Sequence, residues 1–362
     1  MTLSGHAPVY NLCRFCLMCR HVCPVGRTTK HESNTPHGWA LLISSVDRGQ
    51  MEWNTESVST LYECAQCGLC YANCVTGQPL PSAIAAARAH VVSLGAAPHS
   101  VLEIDARLRQ WRNPYQDSEP VAATGTAPTA LFVGAAAQYL HPETLVAARK
   151  LLDVLGIAYV PIAVGLSSAY LPFALGLRET AQTLAKAALQ EIVASQCSCL
   201  IVLTPEDARA FTDAVPELGL TLPDGVAVVD LMTVLAEAAT SGRLSLRVAD
   251  LSLTYHDPAH TPHYPARAAQ ARQVIAALTR QPLHEMFWRE GRAAPGGATG
   301  GLEFTNPSLA AQMTRDRLAE AAATGADWLV TEDPVALAHL SAQANGSIHI
   351  QGLYELLVQH LS

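Results

Sequence analysis

The sequence predicts a helical, cysteine-rich N-terminal module followed by an α/β portion of parallel sheet built from two similar halves. Three observations predict it. The stretches CRFCLMCRHVCP (13–24) and CAQCGLCYANCV (64–75) each carry four cysteines in C-x-x-C-x-x-C-x-x-x-C spacing. From residue 129 onward, short apolar runs alternate with amphipathic stretches of helical length, the pattern of strands buried in a parallel sheet. CLIVLTPEDARAF (199–211) has a counterpart in DWLVTEDPVALAHL (327–340), where a strand again ends in Thr before acidic residues, Pro and a short helix, so the α/β unit is duplicated.

The elements follow in chain order. TPHGWALLISSVDRG (35–49) predicts a helix with Thr35 as N-cap and Pro36 at its first position. NTESVSTLYECAQC (54–67) enters the second quartet from a helix. NPYQDSEPVAATGTAP (113–128), rich in Pro, Gly, Thr and Ala, is a linker. The divisions are therefore 1–112, 113–128, 129–250 and 251–362. In the first half TALFVGAA (129–136) reads as a strand, and PETLVAARKLLDVLG (142–156) as a helix with Pro142 in its first turn and Gly156 at its end. IAYVPI is a strand, RETAQTLAKAALQEIVAS (178–195) a helix, and CLIVLT (199–204) and VAVVDL (226–231) are strands. The second half repeats the alternation: LSLTYH strand, ARAAQARQVIAAL helix, LHEMF strand, PSLAAQMTRDRLAEAAATG helix, DWLVT and SIHI strands, LYELLVQHL helix.

With 362 residues, 49% of them hydrophobic and 15% charged, the chain suits two or three globular domains. A net charge of −8 without any Lys/Arg run argues against nucleic-acid binding. The opening MTLSGHAPVYNL lacks the features of a signal peptide, and no apolar stretch approaches the ~20 residues of a membrane helix. Clustered cysteines without an export signal point to metal binding in a reducing compartment, so the cytoplasm, or the cytoplasmic face of a membrane complex, is expected. Two anionic clusters on an acidic chain suit docking against basic partner surfaces.

The cysteine spacing wraps a loop around a cubane so that three thiolates reach three of its corners, while the fourth cysteine ligates the other cluster. Cys13, Cys16 and Cys19 with Cys74 are expected to hold one 4Fe–4S cluster, and Cys64, Cys67 and Cys70 with Cys23 the other. Pro24 follows Cys23 as the pattern expects, whereas Val75 follows Cys74. A pair of zinc sites is the competing reading, since zinc also uses C-x-x-C pairs; four evenly stepped cysteines, twice, favour clusters. Such a pair has no open iron site and performs one-electron transfer.

The helical spacer between the quartets resembles the helical ferredoxin module of respiratory iron–sulfur subunits. Nearly the whole chain resembles the family that contains the iron–sulfur subunits of glycolate oxidase and anaerobic glycerol-3-phosphate dehydrogenase and the catalytic subunit of heterodisulfide reductase. The resemblance implies a helical two-cluster ferredoxin domain plus a duplicated cysteine-rich α/β domain. In that family each α/β half carries a Cys, then Cys-Cys-Gly, then Cys-Pro-x-Cys. Here those positions hold Ala135, Ala163, Val164, Thr204 and Asp207 in the first half, and Ala259, Ala294, Pro295, Asp333 and Ala336 in the second. Cys197 and Cys199 lie off the motif. Neither half is therefore expected to hold a cluster. The resemblance implies an electron-transfer subunit rather than a catalytic one. It would take electrons from a flavin-containing dehydrogenase subunit acting on a 2-hydroxy acid or similar substrate, and pass them to a quinone-linked acceptor, electron-transfer flavoprotein or other carrier, with no flavin of its own. The alternatives are a reductase of disulfides or quinones working at the α/β domain, and a redox-sensing iron–sulfur protein.

Other groups are weaker signals. GRAAPGGATGG (291–301) lacks the Lys-Ser/Thr ending of a phosphate loop. His256, Asp257, His260 and His263 stand near a strand end, where they could hold a metal or quinone headgroup, or merely cap the next helix. Glu206/Asp207 and Glu332/Asp333 are read as equivalent helix-capping pairs.

Overall fold

A computed structural model describes residues 3–121 and 124–362. Met1 and Thr2 of the opening segment, and Ala122 and Ala123 of the expected linker, lie outside the described residues. The architecture is a helical module followed by parallel α/β sheets, the mixed class expected. Among the described residues no helix is long and apolar enough to cross a membrane.

In the N-terminal module, helix Pro36–Asp47 starts after Thr35 as expected, but the Thr35 hydroxyl does not cap it. It donates instead to the carbonyl of Glu32 at 2.6 Å, because the preceding 3-10 turn brings that acceptor closer than the helix amides. Helix Thr55–Tyr62 is held by a complete capping box between Asn54 and Ser57. Helix Leu80–Ser93 buries Ala83, Ala85 and Ala87, small residues that let its neighbours approach closely. Its Arg88 is fully buried and has no carboxylate partner among the described residues. Its guanidinium donates to the carbonyls of Leu61 at 3.0 Å, Cys64 at 2.7 Å and Ala174 at 2.9 Å. One side chain thus ties the entry of the second quartet to the α/β portion. Arg88→Met strands those carbonyls and should lower unfolding stability by about 3 kcal/mol; a denaturant midpoint unchanged from wild type would refute this.

Among the described residues seven strands form two all-parallel sheets. The first has the order β2-β1-β3-β4, from β1 (Thr129–Val133), β2 (Tyr159–Val164), β3 (Cys199–Val202) and β4 (Ala227–Asp230). The second has the order β5-β6-β7, from β5 (Leu253–Tyr255), β6 (Trp328–Thr331) and β7 (His349–Gly352). The orders β1-β3-β4 and β5-β6-β7 match. Helix Arg178–Ser195 falls where the apolar period placed it.

The two-residue period of the central strands divides the interior. Ala130, Phe132, Leu200 and Val202 point into a core shared with Leu61, Ile84 and Tyr170. Leu131, Val133, Ile201 and Leu203 point into a second core with Tyr255, Val330 and Leu353 of the other half. The first sheet is therefore buried on both faces.

LHEMF (283–287) is not a strand. Its place would correspond to that of β2, but its backbone makes one bond to β5, from the His284 amide to the Leu253 carbonyl at 2.9 Å. Side chains hold it instead: His284 Nδ1 meets the Thr324 carbonyl and Glu285 pairs with Arg272. The acidic pairs also differ from expectation. Thr204 and Asp333 are the two N-caps, and Pro205 and Pro334 open the two helices. Thr204–Asp207 therefore corresponds to Asp333–Ala336. Glu332 caps nothing; it is buried against Tyr255 and Arg267.

Candidate iron–sulfur site

The two cysteine loops share one backbone conformation. Phe15 and Gln66, each two residues after the first cysteine, have φ of 48° and 52°. Leu17 and Gly68, each following the second cysteine, have φ of 63° and 74°. The left-handed turns at equivalent places curl each C-x-x-C-x-x-C segment around a centre, and short helices Met18–Val22 and Leu69–Ala72 then carry Cys19 and Cys70. Three of the four are not glycine, an arrangement costing about 1–2 kcal/mol per residue unless something holds it.

Each fourth cysteine lies near thiols of the other segment. Burial pushes the Cys19 thiol up to about 11, and its thiol neighbours in that effect are Cys13, Cys16 and Cys74. Burial likewise raises Cys23, whose neighbours are Cys67 and Cys64, and raises Cys70, which faces Cys64, Cys67 and Cys23 and, more weakly, Cys19 across the loop pair. Cys67 is pushed up to about 12 by burial, against backbone amides and Arg209, which favour the thiolate. Cys74 is the exception: burial raises it, but hydrogen bonds from Thr76 and the amides of Gln78 and Gly77 outweigh that and hold it below the usual range. Amides also reach sulfur at Cys23 (from Gly26, 3.5 Å) and Cys64 (from Gln66, 3.4 Å).

This donor set fits iron–sulfur clusters. Eight thiols, several too buried to ionise unaided, need local positive charge to become thiolates, and iron supplies it. Among the described residues no three His, Cys, Asp or Glu side chains stand close enough to share one metal ion. Cys197 and Cys199 lie apart, at the start of β3.

The second loop is buttressed by the α/β portion. A Cβ on Gly68 would overlap Nε2 of His263, and a Cβ on Gly300 would meet Gln66 and Ala65. The glycine-rich stretch therefore packs against the cysteine loop instead of cradling a phosphate. Arg209 links this contact inward, meeting His263 at 3.3 Å and His260 at 3.1 Å. His256 and Asp257 are also pinned by arginines: Arg317 donates to His256 Nδ1 at 3.0 Å, and Arg272 pairs with Asp257. Gly68→Ala should reduce cluster absorbance and lower Tm by several degrees, and adding His263→Ala should recover part of both. Equal loss in single and double variants would exclude the steric account.

Of the ten positions compared above with family ligands, four converge and the other six do not join them. Ala135, Thr204, Asp207 and Asp333 line a cavity of about 50 Å³ together with Tyr115, Glu206, Thr299 and Glu303. It lies past the ends of β1, β3 and β6, at the switch point where β2 and β3 depart to opposite sides of β1. Burial pushes Glu206 up to about 7, Asp207 and Glu303 up to about 8, and Asp333 up to about 6. Mutual repulsion adds to the rise at Asp207, Glu303 and Asp333, and Glu303 Oε2 has no hydrogen-bond partner among the described residues. Glu303, Tyr115 and Arg209 carried no motif in the sequence; only the meeting of distant segments reveals them.

The loops and their donors define the class: an iron–sulfur protein of the electron-transfer type. Residues 12–78 match the family model described as "4Fe-4S dicluster domain". Across most of its length the chain also resembles an iron–sulfur subunit family. It is 24% identical over 290 residues to a dihydromethanophenazine:CoB–CoM heterodisulfide reductase subunit of Methanosarcina acetivorans, covering 76% of this chain and 70% of that protein. The corresponding protein of Methanosarcina mazei is 22% identical over 292 residues, covering 74% and 69%.

Proposed function

We propose that this chain is the iron–sulfur subunit of a multisubunit oxidoreductase. Cys13, Cys16, Cys19 and Cys74 would hold one 4Fe–4S cluster, and Cys64, Cys67, Cys70 and Cys23 a second, within a ferredoxin domain of residues 1–112. Residues 113–128 link it to α/β halves at 129–250 and 251–362. The clusters supply one-electron chemistry when bound. The proposed donor is a flavin-containing dehydrogenase subunit oxidising a 2-hydroxy acid or similar small molecule; the proposed acceptor is a quinone, electron-transfer flavoprotein or other carrier. The carrying observation is the crossed grouping of the fourth cysteines. That the relatives are named as subunits of a reductase supports a partnered role.

The α/β domain then serves as a platform for docking. Its cavity of about 50 Å³ has room for a water or two, not a quinone ring or a disulfide substrate, and none of the ten cysteines lines it. The test is purification of the intact complex under anaerobic conditions. About eight irons per chain, a copurifying flavoprotein and substrate-dependent bleaching of the clusters are expected. Twelve or more irons, or turnover of a disulfide by this chain alone with an artificial donor, would overturn the reading.

A further inference from the structure

The two quartets are not equally placed. Cys16 is exposed and Cys13, Cys19 and Cys74 are half-buried, whereas in the second set Cys23 and Cys64 are buried, Cys67 and Cys70 are half-buried, and none is exposed. The second loop also lies under His263 and the glycine-rich stretch. The first loop therefore forms the outer side of the pair.

Its surroundings are apolar to an unusual degree for a monomer surface. Leu12, Phe15 and Met18 are 55%, 46% and 53% exposed, and Leu17, Tyr71 and Val75 are exposed beside them. All lie within four residues of Cys13, Cys16, Cys19 or Cys74. Contiguous apolar exposure marks an interaction surface. Scattered surface leucines need no such explanation, but six large side chains around one loop pair do.

Charge identifies the occupant. Residues 3–31 and 64–102 contain no Asp or Glu, although the whole chain carries −8. The side chains on and beside the loop are the exposed Arg14, Arg20, His21 and Arg48. Glu32 is paired with Arg20 at 2.5 Å and with His37, and Asp47 faces the Tyr10 hydroxyl. Arg14 has no ion-pair partner among the described residues, and Arg48 is held by neutral Asn11 at 2.7 Å. The face thus has an apolar centre and a positive rim.

We infer that the surface around Cys13–Cys19 is the docking face for an acidic one-electron carrier protein. The inference rests on the reading that this quartet holds a cluster. It reverses the expectation, drawn from net charge alone, that the partner is basic. The exchange is a single electron lost by the reduced carrier and gained on this side of the chain, or the reverse; no bond forms and no proton moves. A positive rim steers an acidic partner into register, and the apolar centre holds it once water is expelled.

The test uses the cluster-loaded full chain with two probes, an acidic plant-type ferredoxin and a basic c-type cytochrome. Binding is measured by calorimetry with both partners oxidised, so that affinity is read apart from turnover. The ferredoxin should bind at least tenfold more tightly than the cytochrome at low salt and lose about tenfold in affinity as salt rises to ~0.5 M, where charges are screened. Arg14→Glu/Arg20→Glu should weaken ferredoxin binding about tenfold and flatten its salt dependence, with the milder Arg14→Gln/Arg20→Gln in between. Iron content and reduction by dithionite should stay as in the parent chain. Preference for the cytochrome, or ferredoxin binding untouched by both double variants, overturns the docking face while leaving the electron-transfer reading intact. A chain that takes up no iron overturns that reading itself.

Discussion

Cys74→Ser should damage the cluster of the loop that lies some fifty residues upstream, and Cys23→Ser the cluster of the loop downstream. The expected readout is iron falling from about eight towards about four per chain in each variant, by removal of one cubane's ligand. Combination sharpens the result. Cys74→Ser with Cys16→Ser should be no worse than either alone, since both strike one cluster, whereas Cys74→Ser with Cys67→Ser should lose both. Residues acting on one centre are non-additive and those on separate centres are additive. The geometry behind this is the proximity of Cys74 to Cys19, and of Cys23 to Cys64 and Cys67 rather than to the thiols of its own segment. If Cys74→Ser behaved additively with Cys16→Ser and not with Cys67→Ser, ligation would be local and the crossed assignment wrong.

The second large effect is on stability against pH. Glu206, Asp207, Glu303 and Asp333 are raised by burial to between about 6 and about 8, while the unfolded chain titrates near 4. Between these limits the folded state binds more protons than the unfolded state, so stability falls as pH rises. The contribution is fully present below pH ~4, is lost as pH climbs through 6 to 8, and levels off above. Each group contributes a slope of at most about 1.4 kcal/mol per pH unit. Mutual repulsion spreads their titration, so the sum over four is less than additive. Tm should therefore decline steadily from pH 5 to pH 8. Asp207→Asn/Glu303→Gln keeps two of the groups neutral at every pH; it should flatten the profile and be more stable than the parent at pH 8. A flat parent profile, or a variant with the parent's slope, would show that the cavity carboxylates are solvated in the folded protein.

The same cavity is assembled from distant segments. Strand ends, N-cap positions and prolines bring Ala135, Thr204, Asp207 and Asp333 together. The groups at these positions are hard oxygens and a methyl rather than thiols, set at the switch point of the sheet.

Much of this protein was legible in its sequence, and for local reasons. Ligand spacing is a property of a twelve-residue loop, so both quartets could be read directly. Helix Arg178–Ser195 follows from an amphipathic period that needs no distant partner. LHEMF failed because an apolar run becomes a strand only if a neighbour offers a ladder, and β5 offers one bond. Thr35 failed because a nearer carbonyl claimed its hydroxyl. The acidic pairs were misaligned because similar letters three positions out of register look equivalent until the caps are seen.

Residue identity and periods of two to four positions were enough to specify an iron–sulfur module at the N-terminal side and a parallel α/β portion after it. Only the packed chain settled which loop faces outward, where Arg88 binds its carbonyls, and that Glu303 and Tyr115 join Asp207 and Asp333 around one cavity. These features depend on segments far apart in the chain meeting across a packed core. Exposure, desolvation and charge at a site exist only after they have met.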